Sequence, residues 1–384
     1  MPKPLPRIKR RYRDARVVPP DTQDAIPGRL LERSALLPAF RAPPGWVEGP
    51  ADVRLHLNEP SFPPSPCVLE ILRGSDASLG RYPDGAGSAL RAALAKRRAT
   101  DESRIVLGAG SDELIGLSAA AFLAARARCI VPAPSFPRYR ACALLQGAVL
   151  EEVPVAAAGA LDVDAMIAAA RGATLVYAAS PNNPTGGMLA ERELRRLVTQ
   201  IDEQALLVLD EAYFEFGQAG GGADGLQLLR ERRGPWIVLR TFSKAYGLAG
   251  LRVGYGIASA PSLAEALNRC RGMFNVGALS QAAALAALED EEYSVAQVRA
   301  TVAARDRLRQ RLQELGLACL PSAANFLAVA VPVPAAQAMA RLAAAGILVS
   351  PVGPAPFDRH IRITIGSEAD HARLLEALAP ICGR

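Results

Sequence analysis

Short apolar runs alternate with amphipathic stretches from about residue 75 to about residue 265. The runs are Arg104-Ile-Val-Leu107, Arg128-Cys-Ile-Val131, Thr174-Leu-Val-Tyr177, Leu206-Leu-Val-Leu209, Trp236-Ile-Val-Leu239 and Val253–Ala258. None carries the alternating polar face of a half-exposed strand. Strands of this kind separated by helices predict a mostly parallel sheet covered on both faces. Beyond residue 280 the helical spacing lengthens, over Ser280–Glu289 and Ala296–Leu315. Strand-like Phe326–Val331, helix-like Ala335–Ala345, strand-like Ile361–Thr364 and a helix near Ala369–Ala379 follow. This tail predicts a second, smaller α/β unit. The alanine-rich stretches Ala119–Ala127, Ala165–Ala170 and Ala282–Ala287 read as helix formers. The expected organisation is an irregular N-terminal arm over 1–50, a large domain over 75–269, and a small domain built from 51–74 and 270–384.

The size supports two cores: 384 residues, half of them hydrophobic and 21% charged. No uninterrupted apolar window approaches the length of a membrane span. The stretch Met1-Pro-Lys-Pro-Leu-Pro-Arg7 has no apolar segment behind it, so no secretory signal is expected. The expectation is a cytoplasmic protein. The net charge of +6 is concentrated at the start. Lys3, Arg7, Lys9, Arg10, Arg11, Arg13 and Arg16 face one acid, Asp14, and the remaining basic and acidic residues are equal in number. A neutral body argues against a nucleic-acid-binding domain. Cys67, Cys129, Cys142, Cys270, Cys319 and Cys382 contain no closely spaced pair, and the chain has three histidines. No metal site is expected.

An open parallel sheet places ligands beyond the carboxyl ends of its strands. Four of the apolar runs are followed there by polar residues. Leu206–Leu209 leads into Asp210-Glu-Ala-Tyr213, and Thr174–Tyr177 into Ser180-Pro-Asn-Asn-Pro-Thr-Gly186. Trp236–Leu239 leads into Arg240-Thr-Phe-Ser-Lys-Ala-Tyr-Gly-Leu-Ala-Gly-Leu-Arg252, and Ile105–Leu107 into Gly108-Ala-Gly-Ser-Asp-Glu113. A lysine at a strand end can form a Schiff base if its surroundings keep the amine neutral. Around Lys244, the hydroxyls of Thr241 and Ser243 and the guanidinium of Arg252 suit a phosphate dianion. The glycine-rich turn into the helix at Ser111 aims backbone N–H groups at an anion, although a simple cap by Ser111 accounts for the same pattern. Asp210, at the end of an apolar strand, needs a partner for its charge. A protonated pyridine nitrogen would supply one, and Tyr213 and Asn183 could reach the ring oxygen beside it.

Three of these segments, Ser180–Gly186, Asp210–Tyr213 and Thr241–Gly254, in order, resemble the signature of the class I/II aminotransferases, enzymes dependent on pyridoxal 5′-phosphate (PLP). The resemblance covers roughly residues 54–380 and is closest to the histidinol-phosphate aminotransferase subgroup. It implies the aspartate-aminotransferase-like α/β architecture known as PLP fold type I. It also implies that Lys244 carries the cofactor and shuttles protons, that Asp210 pairs with the ring nitrogen, and that Asn183 and Tyr213 bind the ring oxygen. Ser111, Asp112, Thr241, Ser243 and Arg252 would hold the phosphate, and Phe136 would stack on the ring. Tyr82 would reach the phosphate of a neighbouring subunit, which implies a homodimer with shared sites. Arg362, in Ile361-Arg-Ile-Thr-Ile-Gly366, would grip the substrate carboxylate, and Asn58 would lie near the substrate. The subgroup usually carries an arginine for the substrate phosphate after Gly-Ile-x-Val/Leu, whereas Gly346-Ile-Leu-Val-Ser350 ends in serine here. The expected reaction is therefore transfer of an amino group between an unphosphorylated L-amino acid and a 2-oxo acid. The alternatives are a PLP enzyme of another reaction type (decarboxylase, eliminating or cyclising enzyme, or oxidase) and a non-catalytic binding protein. Asn58, Tyr246, Asn275 and Ser350 form the expected substrate wall.

Overall fold

In the computed structural model, residue 37, residues 53–74 and residues 79–383 are described. The expected N-terminal arm lies outside them, apart from residue 37. The described residues from 53 to 383 belong to one compact unit. Its strands in chain order are β1 (Val53–Arg54), β2 (Ile105–Gly108), β3 (Arg128–Ala133), β4 (Val149–Pro154), β5 (Leu175–Ala179), β6 (Leu206–Asp210), β7 (Trp236–Thr241), β8 (Gly254–Ala258), β9 (Phe326–Ala330), β10 (Ile347–Leu348), β11 (Ser350–Pro351) and β12 (His360–Thr364).

The main sheet has the order β2-β8-β7-β6-β5-β3-β4. The pairs β7·β6, β6·β5, β5·β3 and β3·β4 are parallel, and β8 runs antiparallel to both of its neighbours, β7 and β2. Every residue of β5, β6 and β7 is buried, which explains their unbroken apolar runs. Successive side chains of a strand point to opposite faces. Leu206 and Val208 accordingly join one core, with Leu175, Tyr177 and Leu239. Leu207 and Leu209 join the other, with Val176, Ala178 and Val238. Helices cover both faces, as the pattern predicts. The strand β4 has no counterpart among the predicted runs. It is an edge strand, largely exposed, and its two glutamates and its proline break the apolar signal.

The tail follows the expectation closely, with helices Ala278–Glu289, Glu291–Glu314, Ala335–Ala344 and Glu368–Leu378. The strands β9 and β12 pair antiparallel, and β11 pairs with β12. A separate core gathers Leu308, Leu327, Val329, Leu342, Ile361 and Leu374. The two-residue strands β1 and β10 pair in parallel, Val53 opposite Ile347. That pairing ties the segment before Asn58 to the C-terminal part of the chain. Among the described residues no helix is long and apolar enough to cross a membrane.

Candidate active site

The carboxyl ends of β2, β5, β6 and β7 open on one side of the sheet, around a cavity of about 620 Å³. Of the residues predicted to hold the cofactor and the substrate carboxylate, Tyr82 alone does not line it; of the expected substrate wall, Asn58 lines it and Tyr246, Asn275 and Ser350 do not.

Lys244 follows β7 and reaches the centre of the cavity. Its Nζ donates to the carbonyls of Asn58 at 2.7 Å and Leu57 at 3.4 Å. Burial, reinforced by the positive charge of Arg362, holds its pKa down to about 7. The neutral amine needed for a covalent link is thus accessible near neutral pH. Asn58, only 2% exposed, is held in the left-handed region at φ 53°. Its amide N–H bonds Thr364 Oγ1 at 2.9 Å, and its carbonyl accepts from Asn325 Nδ2 at 3.1 Å. A strained backbone locked in this way is characteristic of functional positions.

Asp210 ends β6 in a fully buried setting. Its Oδ1 accepts from the Ala212 amide at 2.9 Å and its Oδ2 from the Tyr139 hydroxyl at 2.6 Å. Burial pushes its pKa up, and these two hydrogen bonds oppose that shift. Tyr213 accepts from Asn58 Nδ2 at 2.8 Å, and burial moves its phenol up to about 12. It therefore keeps its own proton to donate. Asn183 Oδ1 accepts from Arg362 Nη1 at 2.6 Å, leaving the Asn183 amide hydrogens as donors. Phe136 lines the cavity beside them, edge-on to Tyr139 with ring centres 5.9 Å apart.

On another wall, Thr241, Ser243 and Arg252 meet the start of the helix Ser111–Phe122. Thr241 Oγ1 donates to Ser243 Oγ at 3.0 Å, and Arg252 Nη1 approaches the same oxygen at 3.5 Å. Arg252 too has a left-handed backbone, at φ 52°. The simple-cap reading of Ser111 is not realised. The cap is Gly110, which makes no side-chain hydrogen bond, and Ser111 is the first helical residue. The Ala109 N–H is taken by Glu113 Oε2 at 2.6 Å and the Gly110 N–H by the Gly108 carbonyl at 2.7 Å, while the first N–H groups of the helix itself, from Ser111 on, are left to an anion. A Cβ on Gly110 would lie 2.6 Å from Arg252 Nη2, and one on Gly254 2.6 Å from the Ser111 nitrogen, so side chains there would fill the cup. The Asp112 carboxylate turns to Arg138 Nε at 3.5 Å, which leaves its backbone N–H as its contribution to the cup.

Arg362 on β12 closes the far end. Its Nη2 donates to Ser350 Oγ at 3.2 Å and to the His56 carbonyl, while Nε is buried without a partner. Burial lowers its pKa. The rest of the expected substrate wall fares unevenly. Ser350 supports Arg362 from behind. Tyr246 is buried and faces a separate cavity of about 290 Å³ with Arg98, Phe214 and Glu215. Asn275 is occupied by Leu107 O and Glu113. Tyr82 is 82% exposed and stacks on Phe274 at 4.6 Å.

These groups match PLP feature by feature: an amine of lowered pKa, a buried carboxylate, donors for a ring oxygen, and an anion cup. Sequence reasoning left Tyr139 unassigned, although it lies in the same Pro134-Ser-Phe-Pro-Arg-Tyr139 motif as Phe136; only its distance to Asp210 reveals it. The description aminotransferase class I and II matches residues 51–378. A histidinol-phosphate aminotransferase 2 of Pseudomonas fluorescens is 40% identical over 86% of this chain and 89% of its own length. One from Carboxydothermus hydrogenoformans is 39% identical, over 85% and 90%. The crystal structure of histidinol-phosphate aminotransferase from Sinorhizobium meliloti, solved with PLP, superposes with a TM-score of 0.84 at 31% identity, covering 94% of this chain and 99% of that one. This chain, with the fold type I architecture, is thus a PLP-dependent enzyme and belongs to the class I and II aminotransferase family.

Proposed function

We propose that the enzyme moves the amino group of an unphosphorylated L-amino acid to a 2-oxo acid, with the substrate carboxylate on Arg362. The observation that carries this reading is the single cation at the substrate end. Among the described residues lining the cavity the basic side chains are Lys244, Arg252 and Arg362. Lys244 and Arg252 belong to the cofactor, and the neighbour of Arg362 is the neutral Ser350. One guanidinium suits a carboxylate, whereas a phosphate dianion calls for more charge-assisted donors.

When bound, PLP supplies an electron sink for the pair left at the substrate α-carbon. The protein does the rest. Arg362 fixes the carboxylate and so orients the α-hydrogen. The Lys244 amine, held neutral by burial, would take that proton and return one. Asp210 would keep a positive charge on the ring nitrogen, Tyr213 and Asn183 would hold the ring oxygen, and the cup at Ser111, Thr241, Ser243 and Arg252 would anchor the phosphate. Two half-reactions on one site imply ping-pong kinetics.

Three further expectations belong to this proposal. Exposed Tyr82, outside its own cavity, would complete the site of a second copy in a homodimer. The body would divide into a large lobe around the main sheet and a small lobe around β9 and β12. The setting would be cytoplasmic. A second reading has its own support: the relatives named above act, by their names, on histidinol phosphate. Steady-state assays with 2-oxoglutarate as acceptor separate the two. The first reading expects kcat/KM for at least one L-amino acid to exceed that for histidinol phosphate; the reverse order overturns it.

A further inference from the structure

The geometry points to Tyr139 as the positioning residue of Asp210: its hydroxyl donates to one carboxylate oxygen and thereby orients the charge that PLP's ring nitrogen needs and keeps it in place. Asp210 is only 6% exposed. Among the described residues it forms no salt bridge. A buried carboxylate without a cation depends on the hydrogen bonds it accepts. It has two, one on each oxygen: the Ala212 amide at 2.9 Å and the Tyr139 hydroxyl at 2.6 Å. The second is short, as expected for a neutral donor on an anion. With one donor on each oxygen, the carboxylate cannot rotate without breaking a bond.

Tyr139 is itself immobilised. It is 1% exposed and stacks on Tyr177 with ring centres 4.8 Å apart and planes 15° apart. Tyr177 is pinned in turn by Ser118 Oγ at 2.8 Å and by the Ile115 carbonyl at 3.1 Å, both on the helix Ser111–Phe122 that opens the anion cup. On its other side Tyr139 meets Phe136 edge-on. One aromatic stack thus connects the helix of the cup, the Asp210 carboxylate and the ring-stacking phenylalanine. The titratable groups bearing on Asp210 are Tyr139 on the helix Pro137–Leu145, Asp112 on the helix of the cup and Tyr213 just beyond β6. Burial and the nearby Asp210 charge drive the Tyr139 pKa upward, so the proton stays on the phenol and the phenol stays a donor.

The inference rests on Asp210 as the ring-nitrogen partner, and not on the identity of the substrate. It is tested on the PLP-loaded protein with Tyr139→Phe, which removes the hydroxyl but keeps the ring, and with Tyr177→Phe, which removes an equally buried hydroxyl from the same stack without touching Asp210. PLP affinity is measured by titration of the stripped protein, and the visible absorption band is followed against pH without substrate. Tyr139→Phe is expected to weaken PLP binding by roughly tenfold or more, the effect of one hydrogen bond to a charged group, and to shift the pH profile of the band. It should lower kcat with little change in the KM of the amino donor. Tyr177→Phe should leave affinity and profile within about twofold of the parent, on the same scale. Unchanged PLP affinity and pH profile in Tyr139→Phe, or equal losses in both variants, overturn the inference. Should Tyr139→Phe fail to fold, Tyr139→His, which retains a ring and an N–H donor, is expected to keep PLP affinity close to the parent, and a tenfold loss there counts against it. Asp210→Asn separates the two levels: if it too leaves PLP affinity unchanged, the assignment of Asp210 falls, and the role of Tyr139 with it.

Discussion

Replacing Arg362 by lysine keeps the charge but removes the fork. In the structure the guanidinium is held from two sides, by Asn183 Oδ1 at 2.6 Å and by Ser350 Oγ at 3.2 Å together with the His56 carbonyl, at the wall of the cavity. A lysine has one nitrogen to serve these anchors and the substrate at once. The loss amounts to at least one hydrogen bond to a charged group, about 1.5–3 kcal/mol. At about 1.4 kcal/mol per factor of ten, kcat/KM should fall roughly ten- to a hundredfold. Arg362→Met, which leaves the substrate carboxylate without a cation, should fall further. The assay is the half-reaction with a single amino acid, followed by the change in the cofactor's absorption at varied substrate concentration. PLP affinity, measured in parallel, should hold near the parent value, since Arg362 stands at the other end of the cavity from the phosphate cup. A kcat/KM within about twofold of the parent, or a loss of PLP affinity that accounts for the whole effect, would refute the assignment.

Lys244→Ala should bind PLP without forming the borohydride-reducible link, and its half-reaction should be lost; a persistent reducible link would place the attachment elsewhere. The Lys244 amine has a folded pKa of about 7 against an ordinary 10.5, so between those values the unfolded chain binds more protons than the folded one. Stability of the cofactor-free protein should therefore rise with pH across that window, and in Lys244→Met the rise should be smaller, as read from denaturant midpoints. Arg240 and Glu211 form a salt bridge at 2.7 Å with side chains only 1% and 2% exposed. Arg240→Met strands the glutamate and should cost about 3–5 kcal/mol in unfolding free energy, while Arg240→Met with Glu211→Leu should recover much of it; a single variant as stable as the parent would argue that the pair is inert.

Much of the architecture was written in periodicity. Each of the six apolar runs became a strand of the main sheet, because a strand buried on both faces must be apolar at every position. The edge strand β4 was not legible, since its glutamates face water. The site was legible where chemistry sits next to a strand end. Asp210, Thr241 and Lys244 are within five residues of one, and the motif order identified their neighbours. Tyr246 shows the limit of that reasoning. Two residues from Lys244, it faces a different cavity, because the turn after β7 directs the two side chains apart.

The sequence by itself determined which segments are strands, which strand ends carry polar groups, and the family whose pattern they follow. Local burial and local chemistry are encoded in spacing. What the tertiary structure decided is which distant groups meet. Lys244 bonds the carbonyl of Asn58, 186 positions away, and Arg362 the carbonyl of His56, 306 away. Tyr139 finds Asp210 across 71 positions, from a helix that follows β3 to the end of β6. Those meetings follow from the strand order β2-β8-β7-β6-β5-β3-β4 and from the β1·β10 pairing. Both arise from crossover connections and packing between segments far apart in the chain, which no hydrophobic period records.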